Sequence, residues 1–405
     1  MWRAYLADTM TGLIDSPLDL PSFSWSMSIG DFALTTTRGK DVGEGEASGI
    51  RVPWNAIPGS TPSARAREVC ADRRSVVLFW RSSWTPEGEL GTPVMMGAIT
   101  PRTDTWLDTS FSLDSPMGIL SSRYLVREGT YGADKNGTTS SVVGWSGMSL
   151  RGIASEVGWQ CTTGKPGGML PIDWQYRGER GGHERTYNGF DVQNLSCAGI
   201  LSKLSDVQGG PDMRFRPYLA DGQHVRLRFE AGSDADVYIG QDRVHRLSCR
   251  RFGGDLEDVT VDHVGPVMRV YASGAGTDKA QLTCMVEDMS LCEQTEPWPL
   301  RETAWSDPDT DQLDLLRAHA AGMLAANRCP VMQIKGSIHA NDANQDGTPL
   351  HPLGSMWPGE TVEIALDGFP SLPDGVYRSR LMRMAGDETD RVDLTFDVAA
   401  DPNIK

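Results

Sequence analysis

Glycine and proline make up about one residue in six of this chain, with 44 glycines and 24 prolines in 405 residues. Between them lie short runs in which large apolar and small polar residues alternate, such as Phe23-Ser24-Trp25-Ser26-Met27-Ser28-Ile29. Alternation with a period of two is typical of a half-buried strand, and intervals rich in glycine and proline are typical of tight turns. The sequence therefore predicts a mainly β protein with many short strands.

Such strands are concentrated towards the two ends of the chain. Residues 76–80 and 94–99 predict buried strands near the N-terminus, and four strands are predicted near the C-terminus at 331–340, 361–366, 376–384 and 392–398. Short strands at regular spacing favour a barrel or a sandwich. We predict a first β-barrel domain over residues 1–127 and a second over residues 331–405.

The middle of the chain changes from a strand period to a helix period. Apolar residues follow the i, i+3, i+4, i+7 spacing in two segments, and Gly158 is expected to end the first helix. The two apolar stripes are Leu150, Ile153, Ala154 and Val157, and Cys197, Ile200, Leu201 and Leu204. An alternating strand at 224–229 follows them. We predict a small α+β domain over residues 128–255, inserted between the β regions.

Residues 256–330 are predicted to form a β segment and a connecting helix. The helix has one apolar face, formed by Leu313, Leu316, Ala320, Met323 and Leu324. Asp307 or Thr310 is the expected N-cap, because a side-chain oxygen at that position satisfies free backbone amides.

Charge and composition disfavour several classes of function. The formal net charge is -16 at pH 7, and affinity for phosphates requires clustered cations, so specific nucleic-acid binding is not expected. The pairs Arg73-Arg74 and Arg250-Arg251 are better explained as solvated charges at strand edges or as salt bridges between subunits. No apolar run approaches the roughly 18–20 residues that a membrane helix needs, and the N-terminal residues lack the apolar stretch of a secretion signal. The seven cysteines form no Cys-x-x-Cys pair and are expected to be free thiols.

Catalytic motifs appear only as near misses. Gly144-Trp145-Ser146-Gly147 has its second glycine one position too early for a nucleophile elbow. His183-Glu184 begins like a helical zinc motif, but Tyr187 stands where the second histidine belongs. We therefore predict no catalytic, cofactor-binding or metal-binding residues and no enzymatic activity.

One segment leaves two alternatives open. Asp342-Ala343-Asn344-Gln345-Asp346-Gly347 matches the first half of a calcium loop, in which alternate oxygens converge and glycine permits the turn. The bidentate glutamate expected at position twelve is Leu353, and Asn, Asp and Gly are also ordinary turn residues. A hairpin loop is the favoured interpretation and a calcium site is the alternative.

The last hundred residues carry a series of motifs in a fixed order, and they surround the predicted helix at 313–324. The series is Trp298-Pro299-Leu300-Arg301-Glu302-Thr303, Ser306-Asp307, Cys329-Pro330-Val331, Trp357-Pro358-Gly359-Glu360 and Phe369-Pro370-Ser371-Leu372-Pro373-Asp374-Gly375-Val376-Tyr377-Arg378. This order resembles the C-terminal part of minor tail proteins of long-tailed phages of high-GC Gram-positive bacteria, which are similar to the hubs of phage baseplates. The segment from Leu201 to Glu230 resembles the middle domain of that family. The resemblance covers most of the chain from about residue 145, and the N-terminal third fits by arrangement.

The resemblance implies a structural virion protein at the distal end of a phage tail. Its expected form is a homotrimeric hub with two tail-tube-like β-barrels per subunit, whose partners are other copies of itself, tail-tube proteins and other tip proteins. DNA would pass through its lumen without sequence-specific binding during ejection. The family implies no catalytic residues. A tail-associated cell-wall hydrolase and a receptor-binding tip protein are the alternatives.

Overall fold

The structure is a computed structural model that describes residues 1–35, 50–308 and 310–402. The elements of the N-terminal part are β1 (Trp2–Asp8), β2 (Ile14–Leu18), β3 (Ser24–Ser28), β4 (Asp31–Thr35), β5 (Ile50–Pro53), α1 (Pro62–Glu68), β6 (Arg74–Trp80), β7 (Thr92–Ile99), β8 (Thr103–Asp104), β9 (Asp108–Phe111), β10 (Leu113–Asp114) and α2 (Pro116–Ser121).

The middle part contains β11 (Val142–Met148), α3 (Leu150–Cys161), β12 (Ile172–Trp174), β13 (His183–Asn188), a 3-10 helix (Gly189–Asn194), α4 (Cys197–Asp206), β14 (Met213–Leu219) and β15 (Val225–Ala231). The C-terminal part contains β16 (Val244–Arg250), β17 (Gly253–Gly254), β18 (Glu257–Val264), β19 (Arg269–Ser273), a 3-10 helix (Asp278–Ala280), β20 (Thr283–Glu287), β21 (Glu302–Ser306), α5 (Leu313–Asn327), β22 (Val331–His339), β23 (Thr361–Asp367), β24 (Gly375–Asp387) and β25 (Arg391–Ala400). The strands predicted at both ends of the chain are present.

The first β module consists of a sheet in the order β10-β7-β6-β1-β2 and a smaller sheet in the order β5-β9-β8. Its central strand β6 is buried on both faces: Leu78 and Trp80 belong to one hydrophobic core, while Val77 and Phe79 belong to another. A strand covered on both sides has no polar face, which explains the unbroken apolar run in the sequence. The second core connects this module to the α+β module.

The second β module is one long sheet in the order β17-β16-β23-β24-β25-β22-β18. The chain passes from β16 to β18 at the opposite end of the sheet within a few residues, so the sheet curls back on itself. The two ends meet at Ser248, whose carbonyl oxygen accepts hydrogen bonds from the amides of Asp255 and Leu256 at 3.0 and 2.9 Å. The result is a curled half-barrel with Ile364, Leu381 and Phe396 in its core.

The sheets cross the boundaries that the sequence predicts at 127 and 255. The hairpin of β3 and β4 pairs with β24, with Met27 opposite Met384. Strand β16 lies within 128–255 and β18 within 256–330, yet both belong to the second β module. Pairing between strands so far apart in the chain produces no pattern in the local sequence from which it could be predicted. The predicted division therefore describes the order of the chain and does not separate its sheets.

The α+β module contains the sheet β12-β15-β14, the hairpin of β11 and β13, and helices α3 and α4. Helix α3 continues through Gly158 to Cys161, so the prediction that Gly158 ends this helix is wrong. A Cβ at Gly158 would lie 2.1 Å from the ring of Trp174, so this glycine allows the helix to approach the sheet. Helix α4 ends at Asp206, before the double glycine at 209–210.

A small module between β18 and β22 has its own core. It consists of the sheet β20-β19-β21 and helix α5, which buries Leu316, Ala320 and Leu324 against it. The N-cap of α5 is Gln312 without a side-chain hydrogen bond, so neither Asp307 nor Thr310 caps the helix. These two residues instead bond to each other, with the Thr310 hydroxyl 2.6 Å from the Asp307 carboxylate. The predicted fold class, mainly β with an α+β part, is confirmed.

Candidate assembly surfaces

The two β modules are joined by an aromatic cluster at their boundary. The ring of Trp2 contacts Phe23, Trp25 and Trp80 edge-on, with centroids 5.6, 5.5 and 5.2 Å apart. Edge-to-face packing of this kind adds about 0.5–1.5 kcal/mol per pair beyond the burial of area. These residues share one hydrophobic core with the second β module.

Two of the three indole N–H groups of this cluster donate to carbonyl oxygens at the end of β24 and in the turn that follows it, whereas the buried Nε1 of Trp80 has no hydrogen-bond partner in the part of the chain that the structure describes. The Nε1 atom of Trp2 donates to the carbonyl oxygen of Thr389 at 3.0 Å, and that of Trp25 donates to Asp387 at 3.2 Å. The contact therefore combines apolar burial with specific hydrogen bonds. It fixes the position of the first β module relative to the second.

A buried carboxylate joins the α+β module to the second β module. Glu360 is fully buried and lies 3.3 Å from Arg214 of β14 and 2.8 Å from His245 of β16, and it accepts the backbone amide of Trp357 at 3.1 Å. Burial acts to raise the pKa of Glu360, but the hydrogen bond from His245 and the charge of Arg214 outweigh it and hold that pKa below its ordinary value. An ionised carboxylate at this position ties three segments together.

The first β module also presents a large apolar surface to solvent. Trp106 and Leu107, in the turn between β8 and β9, are 99% and 79% exposed. An open pocket of about 630 Å³ lies beside them, and its walls are Trp54, Pro62, Arg65, Ala66, Asp104, Thr105 and Trp106. A solvent-exposed tryptophan next to an apolar pocket is typical of a protein–protein contact.

The second β module has an exposed edge at β18. Within the part of the chain that the structure describes, this strand pairs with β22 alone, so its other side presents unpaired backbone groups. Charged residues along the strand, Glu257, Asp258 and Asp262, blunt the edge against indiscriminate pairing. The backbone groups at this edge are thus available to pair with another strand, and the negative charges disfavour pairing with a strand of like charge.

The near-miss catalytic motifs lie together on the β11–β13 hairpin. Gly144-Trp145-Ser146-Gly147 forms part of β11, and His183 and Glu184 begin β13. His183 lies 3.4 Å from Asp234. Tyr187 packs edge-on against Trp145 with centroids 6.2 Å apart, and burial raises its pKa to about 12. The hairpin therefore uses these residues for packing and pairing.

The segment considered as a calcium loop forms a turn between β22 and β23. The amide of Gly347 donates to the carbonyl of Asn344 and the amide of Leu350 donates to Asp342, each at 2.8 Å. The Asp346 carboxylate accepts the amide of Thr348 at 3.0 Å. Throughout residues 1–35, 50–308 and 310–402, no three His, Cys, Asp or Glu side chains are grouped so that they could hold a metal ion. The Asp346 carboxylate and the Asp342 backbone carbonyl thus both hold the turn.

The paired arginines behave differently from one another. Arg74 forms ion pairs with Asp15 and Glu68 inside the first β module. Arg251 lies in a turn next to the exposed Phe252, with its guanidinium 5.5 Å from the ring centroid. All seven cysteines are free thiols. No helix in the described residues has both the length and the apolar character needed to cross a membrane.

Sequence reasoning missed Trp106 and Glu360 as important positions. The string Thr105-Trp106-Leu107 has two apolar residues in a turn, which is the available signal for an exposed contact. Glu360 gave a weaker signal, since its partners Arg214 and His245 are more than 100 residues away in sequence.

No protein-family model and no curated protein matches this sequence. Several solved structures are similar over nearly the whole chain. A 43 kDa tail protein of prophage MuSo2 from Shewanella oneidensis is 10% identical, with 98% of each chain covered and a TM-score of 0.49. A tail protein from Neisseria meningitidis MC58 is 13% identical, with 100% of this chain and 97% of that chain covered and a TM-score of 0.44.

A third similar structure is an E. coli component of the type VI secretion system, described as structurally similar to the T4 phage tail proteins gp27 and gp5. It is 11% identical, with 95% of this chain and 74% of that chain covered and a TM-score of 0.42. Two of these three proteins are named as tail proteins, and the third is described as similar to phage tail proteins.

Proposed function

We propose that this chain is a structural protein of a phage-type tail and forms a homotrimeric hub at its distal end. The observation that carries the proposal is that one chain holds two β modules joined through a continuous core. Three such chains present six β modules around an axis, which suits a transition from a sixfold tube to a threefold tip.

The junction at Trp2 supplies the contact between neighbouring β modules within one chain. A closed ring needs equivalent contacts between the first β module of one copy and the second β module of the next. The apolar surface around Trp106 and the edge of β18 lie on different β modules. We propose that they take part in these contacts between copies.

The central channel of such a ring would be a conduit for DNA. The net charge of -16 supports this role, because a wall with the same sign of charge as DNA lets the polymer pass without binding. We expect a predominantly negative channel in a reconstruction of the assembled ring. A strongly positive channel would contradict the conduit.

Sedimentation velocity and cryo-electron microscopy of the purified chain test the assembly. The expected result is a trimer whose image has threefold symmetry and six similar densities around a hole. A strict monomer at high concentration, or a closed ring with a number of subunits other than three, would overturn the hub.

Labelling of intact particles tests the location. An antibody against the chain is expected to bind at the end of the tail far from the capsid. Binding along the tail shaft or at the capsid would contradict a role at the tip.

A further inference from the structure

One face of the β12-β15-β14 sheet carries an excess of positive charge. The opposite face is buried in the core through Trp174, Leu227 and Phe229. The side chains on the polar face, given by the strand pairing, are Asp173, Arg214, Arg216, Tyr218, Arg226, Arg228 and Glu230. This one face of the sheet thus carries four arginines and two carboxylates, in a chain whose overall charge is strongly negative.

The strand register places two of these arginines directly opposite each other. Arg216 of β14 pairs across the ladder with Arg228 of β15, while Arg214 lies opposite Glu230. Like charges at directly opposed positions destabilise an antiparallel pair unless an anion compensates them. The available carboxylate Glu230 is shared by Arg214 and Arg216, each with its Nε 2.8 Å from a different oxygen.

Arg228 is left without such a partner. Its parallel neighbour Asp173 is engaged by Arg226 and by the hydroxyl of Tyr218. The Nε of Arg228 is buried and has no hydrogen-bond partner within the described residues. The guanidinium lies 4.7 Å from the centroid of the Tyr218 ring, which orients it. Because this Nε is buried, a ligand entering from solvent could bind only the terminal nitrogens of the guanidinium, where an anion would compensate its charge.

A cleft gives such an anion access to the site. It has a volume of about 390 Å³ and lies between this sheet and the 232–243 segment. Its walls hold five arginines and four carboxylates, namely Arg151, Arg214, Arg216, Arg228 and Arg243 with Glu230, Asp236, Asp242 and Glu360. Arg151 and Arg214 are already paired with Glu179 and Glu360. Arg216 is paired with Glu230, so Arg228 is the arginine of this face without a carboxylate partner among the described residues, and it is the group that a ligand entering the cleft would bind.

We propose that the cleft binds an oxyanion, a carboxylate or a phosphate, between Arg216 and Arg228. Planar guanidinium groups donate paired hydrogen bonds to the oxygens of both groups, which suits them better than a spherical anion such as chloride. The ligand supplies the negatively charged partner that Arg228 lacks and offsets the repulsion between the two opposed guanidinium groups. The site is independent of the proposed assembly of the chain.

Calorimetric titration of the full chain with two probes tests the site, at constant ionic strength maintained with sodium chloride. The probes are inorganic phosphate and a tetraglutamate peptide with blocked ends. Binding of phosphate alone identifies a phosphate site, and binding of the peptide alone or of both identifies a site that accepts carboxylates. Binding of neither probe overturns the proposal.

The variant Arg228→Met tests the assignment of the site. We expect affinity for the bound probe to fall at least tenfold. The variant Arg228→Lys retains the positive charge but lacks the planar guanidinium, and its loss of affinity should be intermediate. The control is Arg246→Met, because Arg246 is an exposed arginine of the second β module paired with Glu363. Equal affinity in Arg228→Met and the unmodified chain would contradict the proposal. If Arg228→Met does not fold, a crystal structure of the unmodified chain with the bound probe decides, since the anion must lie between Arg216 and Arg228.

Discussion

Asp255 stabilises the second β module at the point where the sheet meets itself. Its Oδ1 atom accepts from the amide of Ser248 and from the Ser248 hydroxyl, the latter at 2.7 Å, and its Oδ2 atom is bonded to Nε2 of His351. Burial acts to raise the pKa of Asp255, but the hydrogen bonds from His351 and Ser248 outweigh it and lower the pKa from 3.8 to about 2. The ionised carboxylate is therefore the form that the fold stabilises.

We predict an acid-dependent loss of stability centred on Asp255. A carboxyl whose folded-state pKa is lowered stabilises the fold above its unfolded pKa, and this contribution is lost as the pH falls from about 4 to about 2. Asp255→Asn should lower the free energy of unfolding by on the order of 2 kcal/mol at pH 7 and flatten its dependence on pH in that range. Denaturant unfolding at a series of pH values measures both effects.

A matched control for this variant is Asp367→Asn, at an exposed position of β23. It should change the unfolding free energy by less than about 0.5 kcal/mol. If Asp255→Asn and Asp367→Asn gave the same pH profile as the unmodified chain, the role assigned to Asp255 would be wrong.

Single residues show the limits of prediction from this sequence. The turn at Asp342, Asn344 and Asp346 could be predicted because turn chemistry is local. The pairing of Asp255 with His351 could not, since 96 residues separate them and neither stands in a motif. The environment of Arg228 could not be predicted either. Its position opposite Arg216 depends on the register between β14 and β15, which no local pattern specifies.

At the scale of elements, local periodicity predicted the strands and helices well. An unbroken apolar run predicts β6, which is buried on both faces. Apolar residues at helical spacing predict α4, which is buried on one face. The errors occurred where tertiary contact overrides local preference. Because glycine often ends a helix, the sequence predicts a helix end at Gly158. In the structure this residue lies inside α3, where the ring of Trp174 occupies the space that a side chain would need.

Two helical glycines provide a test of that explanation. Gly158→Ala should lower the free energy of unfolding by about 1–3 kcal/mol, because the new Cβ would overlap the buried Trp174 ring. Gly322→Ala in α5 should raise it by about 0.5–1 kcal/mol, because no atom lies within 4 Å and alanine favours the helix. Thermal unfolding of both variants measures the difference, and a stabilising Gly158→Ala would contradict the packing argument.

At the scale of the whole molecule, the exposed surface around Trp106 is the part of the first β module that we propose for the contact between copies. Truncating a central aromatic residue of an interface costs at least about 2 kcal/mol, which is roughly a thirtyfold loss of affinity. We predict that Trp106→Ser weakens the proposed trimer by at least this factor without changing the thermal stability of the subunit. Sedimentation equilibrium over a range of concentrations measures it.

Phe190→Ser is the control for this prediction, because Phe190 is 71% exposed in the α+β module, outside both the Trp106 pocket and the β18 edge. It should leave the association constant within about twofold of the unmodified chain. Self-association of Trp106→Ser equal to that of the unmodified chain would exclude this surface from the contact between copies.

The arrangement of the strands into sheets was the feature least predictable from the sequence. The sequence indicated two β regions and an α+β part between them. It did not indicate that the β3–β4 hairpin joins the C-terminal sheet, because an alternating strand specifies which of its faces is buried and does not specify its partner. Long-range pairing of this kind is decided by the complete set of surfaces that the chain must bury.

The pairing of β3 with β24 affects how the protein is made. Trp25 reaches its acceptor Asp387 across 362 residues, so a ribosome adding about 5–20 residues per second needs roughly 20–70 s to supply the second after the first. During this interval the early hairpin and its tryptophan, Trp25, have no sheet to join. The nascent chain must be kept from aggregating until translation is nearly finished, and a product stopped short of β24 would leave that surface permanently uncovered.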